Sequence, residues 1–269
     1  MASWLPKMAT AVCKACEDPL VLEVGDEEGA NDGPQSVPDD LELPCGCHFH
    51  WQCLLDQSSE VSLSLKCPSC DTQLAANVAG PSVTNPFLHV SSGVTIPTRY
   101  TNEGGMQDNL DILPALTEEA YLEANPEARP ARAFHVMCSE GDVHGIIDLL
   151  RDAEQPAEEG PKMSPAKLLR YQDPLANMRS GLHLAIERTQ TEVVWLLLWV
   201  ASSLREGAFP EVAMRTAYAV GLERPAVSPS EDIRMLADDR GRTAEMLAAE
   251  KGGAWAAVVQ AGLLHPGSS

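Results

Sequence analysis

Apolar positions in the second half of the chain recur at helical spacing. Three stretches share one arrangement: Arg132–Asp142, Ser180–Gln190 and Thr243–Gly253. Each predicts a short helix with small residues on one side, followed by a turn. The first two run on into Ile146-Ile-Asp-Leu-Leu150 and Val193-Val-Trp-Leu-Leu-Leu198, whose aliphatic residues predict a second helix. The starts lie 48 and 63 residues apart. The first interval fits a loop through Pro156, Pro161 and Pro165. The second is long enough to hide a further unit, with helices near 211–221 and 230–237. Leu116-Thr-Glu-Glu-Ala-Tyr121 predicts a helix start with Thr117 as its cap. Upstream, residues 76–115 are rich in Gly, Pro, Asn, Ser and Thr and read as a linker, in which His89–Thr98 forms a short strand or lies extended. Residues 10–75 hold few aliphatic residues.

Charge sharpens this division. The formal net charge is −20, and residues 17–44 hold ten Asp or Glu and no Lys or Arg. Such a balance argues against nucleic acid, which needs a basic face, and against anionic lipid. The 17–44 stretch, with Gly25, Gly29, Gly33, Pro34 and Pro38, reads as a solvated acidic insertion. The longest apolar run, Val193–Ala201, is about half of a bilayer crossing. No secretory signal is apparent at the start. The expectation is a soluble protein of the cytoplasm or nucleus, where thiols stay reduced.

Seven of the eight cysteines fall in the first 70 residues. With one histidine they form the series Cys13, Cys16, Cys45, Cys47, His50, Cys53, Cys67 and Cys70, separated by two, 28, one, two, two, 13 and two residues. Thiolates and imidazoles two residues apart converge on a tetrahedral ion, and eight donors make two closed, structural sites. A segment this poor in aliphatic residues would draw its folding energy from metal.

Leu43-Pro-Cys-Gly-Cys-His-Phe-His-Trp-Gln-Cys-Leu54, followed by Cys67-Pro-Ser-Cys70, resembles a RING finger across residues 10–75. The resemblance implies a cross-braced α+β domain with two structural Zn2+ ions. Cys13, Cys16, His50 and Cys53 would hold one, and Cys45, Cys47, Cys67 and Cys70 the other. Cys47 stands where many such fingers have histidine, and His48 is the alternative ligand. The family also implies docking of a ubiquitin-conjugating enzyme, here through Ala15, Leu54 and Pro68. Three positions depart from its pattern: Ala15 is small, Gln57 replaces an aromatic, and Asp71 replaces the cation that contacts donor ubiquitin.

The three helical stretches, with Asp173 before the second and Asp239 and Gly241 before the third, resemble degenerate ankyrin repeats over residues 116–265. That implies an all-α repeat solenoid with a concave protein-binding surface. His135 and His183 would brace adjacent turns, Cys138 would be buried, and Trp195 and Trp199 would belong to the core. Together the resemblances imply a RING-type E3 ubiquitin ligase that holds a protein substrate on its repeats. No residue would form a covalent intermediate. The alternative is a non-catalytic, zinc-binding interaction adaptor.

Overall fold

In the computed structural model the described residues are 11–24, 35–75, 94–155 and 163–267. They form two compact units, residues 1–124 and 125–269. The fold is mixed helix and sheet. Among the described residues no helix is long and apolar enough to cross a membrane.

In the first unit, β1 (Val21–Val24) pairs antiparallel with β2 (Gln35–Pro38). Then follow β3 (Asp40–Glu42), β4 (His48–Phe49), α1 (Trp51–Leu55), α2 (Ser58–Ser64), β5 (Pro97–Asn102), β6 (Gly105–Asp111) and α3 (Leu113–Ala124). An antiparallel sheet runs in the order β4-β3-β5-β6.

This differs from the sequence reading in four places. The acidic insertion is built rather than wholly solvated: Leu41 and Leu43 are buried, and Asp39 is 2% exposed. Its residues 25–34 lie outside the described ones. The segment 97–111, read as linker, is a β-hairpin that extends the sheet from β3; the stretch 76–93 lies outside the described residues. Helix α3 starts at Leu113, with Asp111 Oδ1 accepting from the Leu113 amide at 3.2 Å, so Thr117 is a buried mid-helix residue and not the cap. And α3 belongs to the first unit, packing on α2.

The physical cause is shared. Leu41, Phe49, Leu54, Val61 and Leu65 form an apolar cluster that Ile96, Ile112 and Leu116 complete. Without the hairpin and α3, that cluster would face water on one side.

The second unit holds α4 (Arg129–Glu140), α5 (Val143–Glu154), α6 (Pro165–Leu169), β7 (Gln172–Asp173), β8 (Arg179–Ser180), α7 (Gly181–Glu187), α8 (Thr191–Ala201), α9 (Glu211–Ala219), α10 (Ala244–Lys251) and α11 (Ala256–Gln260). Helices α4 and α5 pair across a turn at Gly141, and α7 and α8 pair likewise. Helix α7 packs between α4 and α10. A β-carbon on Gly181 would come within 2.7 Å of Phe134 and 2.9 Å of Cys138 Sγ, so a small residue is what lets α7 approach α4.

Pro165, expected in a loop, is the first residue of α6, capped by Ser164; Pro156 and Pro161 lie outside the described residues. Helix α9 matches the expected 211–221 element. The second expected helix, 230–237, is reduced to one tight turn at Ile233–Met235. Buried Asp232 holds that turn through the equally buried Arg234, 2.7 Å away, whose guanidinium also donates to the carbonyls of Leu263 and His265.

Candidate metal centre

Two tight turns set the outer cysteine pairs, and they are built alike. The Glu17 amide donates to the Cys13 carbonyl and the Cys13 amide to the Asp18 carbonyl, at 2.9 and 3.0 Å. The Asp71 amide donates to Cys67 and the Cys67 amide to Thr72, both at 2.9 Å. In each turn the residue after the second cysteine is left-handed, Glu17 at φ 66° and Asp71 at φ 59°. This reversal aims both thiols of a Cys-x-x-Cys pair to one side. The central pair is turned by Gly46 at φ 79°, with the Leu43 amide donating to the Cys47 carbonyl at 2.9 Å.

These turns bring the eight donors into two groups. Cys13, Cys16, His50 and Cys53 form one; Cys45, Cys47, Cys67 and Cys70 form the other; in each, the donor atoms lie within 4.8 Å of one another. The grouping is interleaved along the chain, as the family resemblance implies. His48 joins neither: its Nδ1 lies 2.7 Å from Asp40 Oδ1, a contact that holds the ring away while Cys47 enters the second group.

The donor chemistry fits zinc. Bonds of about 2.3 Å to sulfur and about 2.0 Å to nitrogen put tetrahedral donors roughly 3.5 Å apart. His50 Nδ1 lies 3.3 Å from Cys16 Sγ and 3.7 Å from Cys53 Sγ. His50 Nε2 donates to the Pro19 carbonyl at 2.9 Å, which fixes the tautomer and leaves Nδ1 with its lone pair toward the thiols.

The thiols are too crowded to ionise together without a cation. Burial, aided by Cys13 and Cys16, pushes the Cys53 thiol up to about 12. Burial also pushes Cys13 up, but the amides of Cys16, His50 and Ala15 outweigh it and hold that thiol at about 7. In the second group the Thr72 hydroxyl, 3.2 Å from Cys70, holds that thiol at about 6, whereas burial drives Cys45 to about 12. A divalent ion resolves both conflicts by accepting all four donors.

Sequence reasoning missed one group that organises the site. The buried Asp39 carboxylate accepts from the Trp51 amide at 3.2 Å, capping α1, and from the Tyr100 hydroxyl at 2.9 Å. Tyr100 in turn packs on Trp51, with ring centroids 5.0 Å apart. The signal was present as an Asp-Asp pair before an apolar residue, hidden within an acidic run.

The expected docking residues fare differently. Ala15 is exposed and Pro68 half-buried. Leu54 is fully buried and is corrected from contact residue to core residue. Cys53 faces the donor group, and one residue on, about 100° around the helix, Leu54 faces the apolar cluster. Gln57 donates to the Cys53 carbonyl at 3.0 Å. Asp71 is exposed and pairs with Lys66 at 3.2 Å.

In the second unit the histidines act through carbonyls. His135 Nε2 lies 3.3 Å from the Tyr171 carbonyl, and His183 Nε2 lies 3.0 Å from that of Arg242. Each ties its helix to the loop before the next one. Those loops are turned by Asp173, which accepts from the Leu175 amide, and by Asp238, which accepts from those of Arg240 and Arg242. Asp238, not the expected Asp239, is thus the counterpart of Asp173.

Comparison with protein-family models, with curated proteins and with solved structures found no match.

Proposed function

We propose that this chain is a RING-type ubiquitin ligase, with two zinc ions in its first unit and ankyrin-type repeats in its second that hold a protein substrate. The observation that carries the reading is the interleaved grouping of eight donors into two closed four-donor sites. Closed sites supply folding energy and no reacting position. With seven thiols committed to metal and Cys138 buried, a covalent relay through cysteine has no candidate among the described residues. The contribution to rate is then proximity: a conjugating enzyme docked at Ala15 and Pro68, and a substrate held by the same chain. The stacked helix pairs α4–α5 and α7–α8, braced by His135 and His183, support the repeat reading.

One feature favours a second reading, a non-catalytic adaptor. Asp71 carries a negative charge where ligases of this kind place a cation, and Lys66 beside it is already paired with it. A carboxylate accepts hydrogen bonds and cannot donate them to ubiquitin carbonyls.

Autoubiquitination of the full chain across a panel of conjugating enzymes separates the two. The ligase reading expects ladders from wild type that Cys45→Ala abolishes and Asp71→Arg strengthens. Silence from wild type and Asp71→Arg alike, with two zinc ions per chain present, sinks the ligase and leaves the adaptor.

A further inference from the structure

Helices α5, α8 and α9 enclose an apolar cleft of about 270 Å3. Pockets for drug-sized ligands and cofactors span about 300–1,000 Å3, so this one is the size of one or two side chains. Its walls include Ile147, Trp195, Trp199 and Ala217; at its rim Val212 is 73% exposed, a large apolar residue left in water.

The aromatic wall is preorganised. Trp199 packs edge-on against Phe209 and Tyr218, at 5.2 and 5.6 Å, and its indole N–H donates to the Leu222 carbonyl at 3.2 Å. The cation that such rings attract is already supplied within the chain. Arg224 lies 5.3 Å from the Trp199 ring and 4.6 Å from that of Phe209, and it donates to the carbonyls of Trp199 and Ser202. What the cleft offers is therefore apolar surface, not a cation cage.

Among the residues that line the cleft Glu192 alone is charged; Arg151 reaches its edge at the Val220 carbonyl and is paired with Asp148. Glu192 lines the cleft, is exposed, and makes no ion pair among the described residues. A neighbouring cleft of about 490 Å3 shares Leu222 with the first and is lined by Glu154, Glu223 and Glu231. These three carboxylates outnumber its two arginines, Arg170 and Arg224, which are turned onto backbone carbonyls. A second copy of the chain would bring another −20 to this acidic face.

We propose that the cleft between α5, α8 and α9 seats an apolar side chain of a protein segment that carries lysine or arginine beside it. This deepens the reading of the second unit as a partner-binding array and rests on it. It places recognition on the second helices of the pairs, apart from the loops that precede α7 and α10.

The test is a selection of displayed random peptides, about twelve residues long, on the full chain. Enriched peptides should pair Leu, Ile, Met or Phe with an adjacent Lys or Arg. A labelled synthetic copy of one is then titrated by fluorescence anisotropy. Ala213→Trp, which fills the cleft, should weaken binding by about tenfold or more, and Glu192→Lys should weaken it several-fold only while the peptide keeps its basic residue. Circular dichroism monitors folding. Should Ala213→Trp unfold the chain, the exposed Glu192→Lys decides alone.

Enriched peptides without the apolar–basic pair, or titrations unmoved by these substitutions, overturn the proposal. So does self-association of the wild type that Ala213→Trp removes, because the occupant would then be a second copy. Peptide binding with no ubiquitin transfer by wild type or Asp71→Arg would sink the ligase reading and leave this inference standing.

Discussion

His135 and His183 occupy matching sequence positions but differ in one bond. His183 Nδ1 meets the Ser180 hydroxyl at 2.8 Å. Three residues before His135 stands Arg132, which pairs with Asp173, and the buried His135 Nδ1 has no hydrogen-bond partner. Burial pushes His135 down from 6.5 to about 4, against the pull of the Asp173 carboxylate 4.0 Å away. The folded chain then refuses a proton that the unfolded chain accepts, so the contribution to stability is full above about pH 6.5 and is lost as pH falls toward about 4. At pH 4.5 the loss is of order 2 kcal/mol. His183 shifts in the same direction and adds to it. His135→Gln, which cannot titrate, should show a smaller fall in protection of the α4 and α7 amides between pH 7 and 4.5. Hydrogen exchange resolves those helices separately from the thiol sites, which also titrate. Equal pH slopes in variant and wild type would mean that His135 is not the group responsible.

At the level of elements, the donor pairs and the paired helices were legible because each carries its own period: two residues between ligands, and three to four between aliphatic positions. The hairpin β5–β6 was not. Its strands, Pro97–Asn102 and Gly105–Asp111, are mostly polar because β6 lies at the sheet edge with exposed side chains, and the Gly104-Gly105 pair at the turn reads as linker. What fixes the hairpin is long-range: Tyr100 reaching Asp39, and Ile96 and Ile112 closing a cluster begun at Leu41. The donor-bearing segment 10–75 is therefore expected not to fold by itself. A fragment of residues 10–75 would leave that cluster open, whereas residues 10–124 would close it. Burying a side chain such as Ile or Leu contributes about 1.5–3 kcal/mol, so losing Ile96, Ile112 and Leu116 together is comparable to the whole marginal stability of a small domain. With zinc present, the longer fragment should give a dispersed amide NMR spectrum and the shorter one should not. A folded 10–75 fragment would show that metal alone suffices, as its poverty of aliphatic residues suggests.

For the whole molecule, the two units differ in what stabilises them. The first rests on eight donors that cannot be satisfied together without a cation, with a modest apolar cluster behind them. The second has no comparable donor group among its described residues; its stability comes from a longer apolar core running from Ala131 to Leu264 and from buried arginine contacts such as Arg234 with Asp232. Removing metal should therefore act on one unit and spare the other. A zinc chelator should abolish the near-ultraviolet signal of the Trp51–Tyr100 pair, while most of the far-ultraviolet helical signal, carried by α4 to α11, persists. Heating the chelated protein should then give one transition, from the second unit, in place of two. Loss of both signals in a single step on chelation would mean that the units fold as one. Peptide binding at the α5–α8–α9 cleft should survive the chelator, because none of the eight donors lies in that unit.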